Sequence, residues 1–212
     1  MFDKAILPDT FRAIQLVAKI PFVVEEAYLA GGTALALQLG HRVSVDLDFF
    51  TLKEFDEEVL SVQLLQFEEF VQKNKAWRTV QGKIGKTEFS IFYYKNTLIE
   101  ETLEYKGIKL VSKKDIAAMK IDALQGRGTK RDFVDIYFLS KLYKLEEMFN
   151  FYDLKYGILE DRWYPILRSL DYFEEADRDD MPDMLVDVKW DEIKRFFHNE
   201  SMRLAKLRPD LF

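Results

Sequence analysis

The sequence predicts an α+β fold, in which a mixed β-sheet with flanking helices spans residues 1–112 and a helical region spans residues 113–212. Two observations carry this expectation. Before Ser112 helical and strand patterns both occur, and after it the patterns are mainly helical. No Pro/Gly/Ser-rich linker divides the halves, so the helical region is expected to pack on the core rather than swing freely. At 212 residues, 48% of them hydrophobic and 15% aromatic, the chain has ample material to bury such a core.

The elements follow in order. Pro8-Asp9-Thr10 opens a capped helix, FRAIQLVAKI, that stops before Pro21. EEAYLAGG reads as a helix end or a strand entering a turn at Gly31-Gly32. TALALQLG reads as helix, with Gly40 as its C-terminal stop. VSVDLDFF alternates, placing Val43, Val45, Leu47 and Phe49 on one face of a strand and Ser44, Asp46, Asp48 and Phe50 on the other. Glu54 to about Asn74 reads as one helix. AWRTVQGKIGKTEFSIFYY gives two strands turning around Gly82 to Lys86, and IKLVS gives another. Then come a capped helix ending at Gly126, a second helix in TKRDFVDIYFLSKLYK, and a mostly helical remainder broken by DRDDMPD, read as a solvated turn. Trp190, Ile193 and Phe197 have the spacing of a helix face that docks.

Composition narrows the function. A formal charge of -6 argues against a general nucleic-acid binder, though not against a local basic patch. The absence of cysteine rules out disulfides and thiolate zinc sites, and His41 and His198 are the only histidines. Any metal is therefore expected to be hard and oxygen-bound, Mg²⁺ or Mn²⁺. No signal-peptide pattern and no run near 20 apolar residues is present, so a cytoplasmic protein with no membrane partner is expected.

The chemistry gathers in LAGGTALALQLGHRVSVDLDFF. Asp46 and Asp48 lie two apart on one strand face, where their like charges call for a cation. Two such carboxylates can orient divalent ions for phosphoryl displacement. Gly31 and Gly32 admit a phosphate close to the backbone, Thr33 adds a hydroxyl, and the helix that follows aims its free N–H groups there. A phosphate cradle followed by a D-x-D strand is a nucleotidyl-transfer pattern. Downstream, Lys120 lies opposite most of the apolar stripe Ile116, Met119 and Ala123, where it can reach a phosphate or remain a solvated lysine. Arg127, Lys130 and Arg131 around Gly126 and Gly128 form a basic loop open to a polyanion, or cap a helix end. Asp132 can cap or pair the next helix, and Asp135 can pair with Arg131. His41 reads as a loop histidine near the nucleotide motif.

Two segments carry a family resemblance. GGTALALQLGHRVSVDLDFF resembles the first motif of the AbiEii/AbiGii toxin family, nucleotidyltransferase-like proteins of the DNA polymerase β-type superfamily. SKKDIAAMKIDALQGRGTKRDFVDIYFL is similar to the family's Lys-then-Lys/Arg-Asp segment, and DMPDMLVDVKWDEIKRFF resembles the tail of its short members. The resemblance implies a nucleotidyltransferase-like sheet, a nucleoside triphosphate held by Gly32 and Thr33, Mg²⁺ on Asp46 and Asp48, Lys120 facing a phosphate, and Asp132 at the family's acidic position near Lys130. It also implies a toxin with a cognate antitoxin, and an acceptor that in some members is tRNA. The superfamily's third carboxylate is expected at Ser90, on KTEFSIFYY. Either Glu88, two residues earlier on the same face, replaces it as a metal ligand, or that ligand is absent.

Overall fold

The structure is a computed structural model that describes residues 1–157 and 163–207. The chain divides into two compact units, Met1–Ser112 and Lys113–Phe212.

In the first unit, α1 (Pro8–Val17) and α2 (Pro21–Glu26) each start with proline at the first helical turn, where its missing N–H leaves no bond unmade. Strand β1 (Ala27–Leu29) runs into α3 (Gly31–Leu39), which ends on Gly40 in the left-handed conformation, φ 64°. Next come β2 (Leu47–Thr51) and α4 (Glu57–Leu64), the latter N-capped by Asp56. Strands β3 (Phe70–Ala76), β4 (Thr79–Ile84) and β5 (Thr87–Tyr93) form a meander, and β6 (Leu103–Tyr105) and β7 (Ile108–Leu110) a short hairpin.

Among the described residues these build one seven-stranded sheet in the order β3-β4-β5-β2-β1-β7-β6. The pairs β2–β5 and β1–β7 are parallel and the other neighbours antiparallel, so the sheet is mixed, as the sequence predicts. Leu47, Phe49, Phe89, Ile91, Val80 and Ile84 are buried on one face. Helix α1 packs there against β5, and α4 against β3 and β4. The opposite face carries Asp48, Phe50, Gln81, Glu88 and Phe92, all only partly buried.

Two expectations change here. The helix read from Glu54 to Asn74 ends at Leu64, and Phe70–Ala76 is an edge strand. Only Phe70 of that strand is buried, so it shows no period of 2. Strand β6 was not foreseen, because it has a single buried residue, Tyr105.

The second unit is helical where described: α5 (Lys113–Gly126), α6 (Lys130–Leu139), α7 (Leu145–Tyr156), α8 (Trp163–Leu170), α9 (Glu174–Arg178) and α10 (Trp190–Leu207). Helix α5 packs against α6, α7 and α8. Ile193 and Phe197 are fully buried, and Phe133 meets the rings of Phe197 and Trp190 at 5.0 and 5.8 Å, so α10 docks by the expected face. The helical reading of 158–162 and of 208–212 lies outside the described residues.

Candidate active site

The D-x-D segment meets the glycine pair through the sheet. Ala30 N–H donates to the Asp48 carbonyl at 2.9 Å, which fixes the end of β1 against β2. Gly31 then turns the chain with φ 66°, a conformation that strains any side chain. A Cβ at Gly31 would stand 3.2 Å from Asp48 Oδ2, so glycine lets the backbone close on that carboxylate. A Cβ at Gly32 would collide with the Arg42 guanidinium. Residue Ala30 provides no side-chain cap for α3, so the first N–H groups of this nine-residue helix open beside Asp48.

The two aspartates are not equivalent. Asp48 lies inside β2, whereas Asp46 precedes the strand, so the expected shared strand face holds for Asp48 alone. The register pairs Asp48 with Ser90 on β5, and Ser90 Oγ donates to Asp48 Oδ1 at 2.6 Å. The residue beside Asp48 is thus a hydroxyl that orients one carboxylate oxygen and leaves the other toward Gly31. Glu88 does not take that place. Its carboxylate accepts from Lys73 at 2.7 Å and pairs with Lys83 at 2.8 Å. Those hydrogen bonds, the one from Lys73 foremost, hold it below the usual carboxylate range.

Thr33 also departs from expectation. It is 1% exposed, and its hydroxyl donates to the Asp46 carbonyl and lies 2.9 Å from Ser44 Oγ. It ties α3 to the D-x-D segment rather than facing outward as a phosphate donor. His41 lies in the loop after α3, as expected, and is buried. Arg42, which sequence reasoning missed, is buried with its guanidinium against Gly32. The signal was a cation four residues before Asp46 and just past a helix stop.

The cluster expected from the second segment lies within the helical unit. Lys120 is buried, with its ammonium 2.9 Å from Asp132 and 2.6 Å from Asp135. The open helix face expected for it is closed because α5 has neighbours on several sides. Asp135 pairs with Lys120 at 2.6 Å. Asp132 also accepts from Arg127 Nε at 3.0 Å and from the Thr129 hydroxyl at 2.6 Å. Burial pushes Asp132 up, but the Lys120 charge and the Arg127 and Thr129 hydrogen bonds outweigh it and bring the group down to about 2. Lys130 is buried, with its ammonium on the Asp179 carbonyl and its backbone N–H on Asp179 Oδ2 at 3.0 Å. The acidic break starts at the end of α9 and is largely exposed, as expected, but it also makes contacts: Asp179 accepts from the Lys130 N–H at the start of α6, and Asp177 accepts from Trp190 Nε1 at 2.6 Å.

Asp48, with Asp46 before it, offers hard oxygen donors beside a backbone cradle that a Cβ would fill, which fits Mg²⁺ or Mn²⁺. Among the described residues no group of three or more His, Asp or Glu gathers at metal-binding spacing. No helix there is long and apolar enough to cross a membrane.

Comparison with known proteins finds relatives over most of the chain. The family profile described as nucleotidyl transferase AbiEii toxin, type IV TA system, matches residues 16–105 and 88–206. An uncharacterized protein of Aquifex aeolicus (strain VF5) is 35% identical over 181 residues, covering 82% of this chain and 86% of its own length. A candidate nucleotidyltransferase of Helicobacter pylori, known from a crystal structure, superposes with a TM-score of 0.53 at 18% identity, over 97% of this chain and 99% of that one. MenT4, a nucleotidyltransferase toxin of Mycobacterium tuberculosis, superposes with a TM-score of 0.51 at 14% identity, over 94% and 86% of the two chains. At such identities the structural likeness speaks for the fold alone.

Proposed function

The chain belongs to the AbiEii nucleotidyl transferase toxin family, and from that premise we propose that it transfers a nucleoside monophosphate from a nucleoside triphosphate to a hydroxyl acceptor. The acceptor class we propose is RNA, with tRNA as the first substrate to test, and the role is the toxin of a type IV pair whose partner is an antitoxin. The observation that supports this most is the N-terminus of α3, without a side-chain cap, opening beside the Asp48 carboxylate.

In this reading the Gly31 and Gly32 N–H groups receive the triphosphate, and the α3 dipole favours its charge. Ser90 holds Asp48 in one orientation through Oδ1, and Thr33 fixes the segment bearing Asp46. Asp46 and Asp48 would hold Mg²⁺, whose chemistry when bound is charge neutralisation on the phosphates and the leaving group. The acceptor oxygen attacks the α-phosphorus, the bond to the bridging oxygen of the β-phosphate breaks, and pyrophosphate leaves. With Ser90 beside Asp48 and Glu88 held by two lysines, the acceptor proton passes to solvent. The chain's contribution is positioning and charge stabilisation. Lys120, Lys130 and Asp132 serve this reading as structural groups, since Lys120 and Asp132 pair with each other and Lys130 is held on the Asp179 carbonyl within the helical unit.

The test is label transfer from each of the four α-labelled triphosphates to tRNA in the presence of Mg²⁺. Wild type is expected to transfer label, and Asp48→Ala to fall to background with its circular dichroism unchanged. Transfer by Asp48→Ala at the wild-type rate would refute the reading.

Ser90 favours a second reading, a nucleotide- or protein-binding module without turnover, because a hydroxyl is a poor base and a poor metal ligand. Calorimetric binding of Mg·NTP by wild type, with no transfer to any RNA unless Ser90→Asp is introduced, would select it.

A further inference from the structure

The helical unit holds a concavity of about 400 Å³, distinct in its residues from the Asp48 site. Its wall is the Gly126-Arg127-Gly128 loop that ends α5, facing Pro165 and Arg168 of α8 and Tyr172 beyond it. The loop backbone is accessible. A Cβ at Gly126 would meet nothing within 4 Å, and Gly128 turns with φ 49°. Arg127 is already bound to Asp132 through Nε and one Nη, so its plane is fixed while its side chain remains 65% exposed. Arg168 is exposed, and among the described residues its guanidinium has neither a hydrogen-bond nor an ion-pair partner. Tyr172 is 54% exposed, and its hydroxyl donates to Glu174 at 2.8 Å.

We infer that this concavity binds a nucleoside phosphate. Arg168 takes the phosphate in its planar fork, where a lysine would offer only a point charge. The fixed guanidinium of Arg127 adds positive potential, and the Tyr172 ring, held through its hydroxyl, offers a stacking surface for a base. The volume suits one nucleotide, whether free or as one unit of a polynucleotide. Glu175 also lines the concavity, but it is paired with Arg178 at 3.0 Å and so adds little net repulsion. The inference does not depend on turnover at Asp48, and it stands or falls separately from the proposed reaction.

The experiment is fluorescence anisotropy of a labelled single-stranded ten-nucleotide RNA on the full chain. Wild type, Arg168→Gln and Tyr172→Ala are compared without Mg²⁺, with AMP as competitor. The expected result is about tenfold weaker binding by Arg168→Gln and by Tyr172→Ala, the usual range for losing one such contact. Both substituted side chains are exposed, so circular dichroism should match wild type. Competition by AMP identifies a free nucleotide as sufficient, and binding without such competition identifies the polynucleotide. Wild-type affinity in both Arg168→Gln and Tyr172→Ala, or no RNA or AMP binding by wild type, overturns the inference.

Discussion

Asp132 shows how one residue can be read correctly as important and incorrectly as available. Its fold-critical role rests on Lys120, Arg127 and Thr129 converging on a fully buried carboxylate. Because its folded pKa is depressed to about 2 from an ordinary 3.8, it adds stability above the unfolded value that is lost as pH falls from about 3.8 through 2. The shift corresponds to about 2 kcal/mol at neutral pH. Asp132→Asn is therefore expected to lower the unfolding free energy from urea titration at pH 7 by about 3 kcal/mol once the poorer pairing of buried Lys120 is included. The gap to wild type should close between pH 4 and pH 2, and a gap independent of pH would show that the carboxylate charge is not what matters. The sequence could not supply this picture. Helical spacing shows which residues share a face of α5, but it cannot show that α6 returns with Asp132 and Asp135 onto that face. The D-x-D and glycine pair were legible because both are local: a turn, a short helix and a strand place them within one run of sequence.

At the scale of elements, glycines separate strain from packing. Gly40 caps α3 with φ 64°, and a Cβ there would lie 2.6 Å from the Phe2 ring. Gly85, in the β4–β5 turn, has φ 59° with open space around it. Alanine at Gly85 is expected to lose about 1 kcal/mol for the left-handed backbone alone. Alanine at Gly40 should lose about 1–3 kcal/mol more, because Phe2 must move. Paired thermal melts measure the difference, and equal losses would remove Phe2 from the argument. A second test concerns how α5 is held to α7. Lys155 Nζ lies 2.7 Å from Asp115 Oδ1, with both side chains fully buried. Lys155→Met alone is expected to lose about 3–5 kcal/mol, because it removes the ammonium that faces a buried carboxylate. Adding Asp115→Leu should recover most of that loss in urea unfolding, and a double variant as weak as the single would contradict this. Element boundaries were legible where chemistry marked them, as with Pro8, Pro21 and Gly40. They were not legible in β3, an edge strand whose exposed Val71, Lys73 and Asn74 carry no alternation for a sheet to impose.

Across the whole molecule, charge sets how a polyanion can be met. The chain carries 31 basic and 37 acidic residues. Many of the bases are already matched: Arg12 with Glu69, Lys53 with Glu26, Lys73 and Lys83 with Glu88, Arg178 with Glu174 and Glu175, and Arg203 with Glu146 and Glu200. Such pairs contribute little to stability individually, but each removes a cation from any extended phosphate track. RNA binding should therefore rest on few contacts, with Arg168 the one that takes the phosphate. One phosphate contact on a single strand gives a log–log salt slope of about -0.7, so affinity should fall by roughly 2.6-fold between 50 and 200 mM KCl. Arg168→Gln should reduce the magnitude of that slope by about 0.7, whereas Tyr172→Ala should weaken binding without changing it. A slope steeper than about -5 would require an extended cationic surface, which the matched charges argue against. The measurement thus links the acidic balance of the whole chain to the few side chains expected to hold a nucleotide.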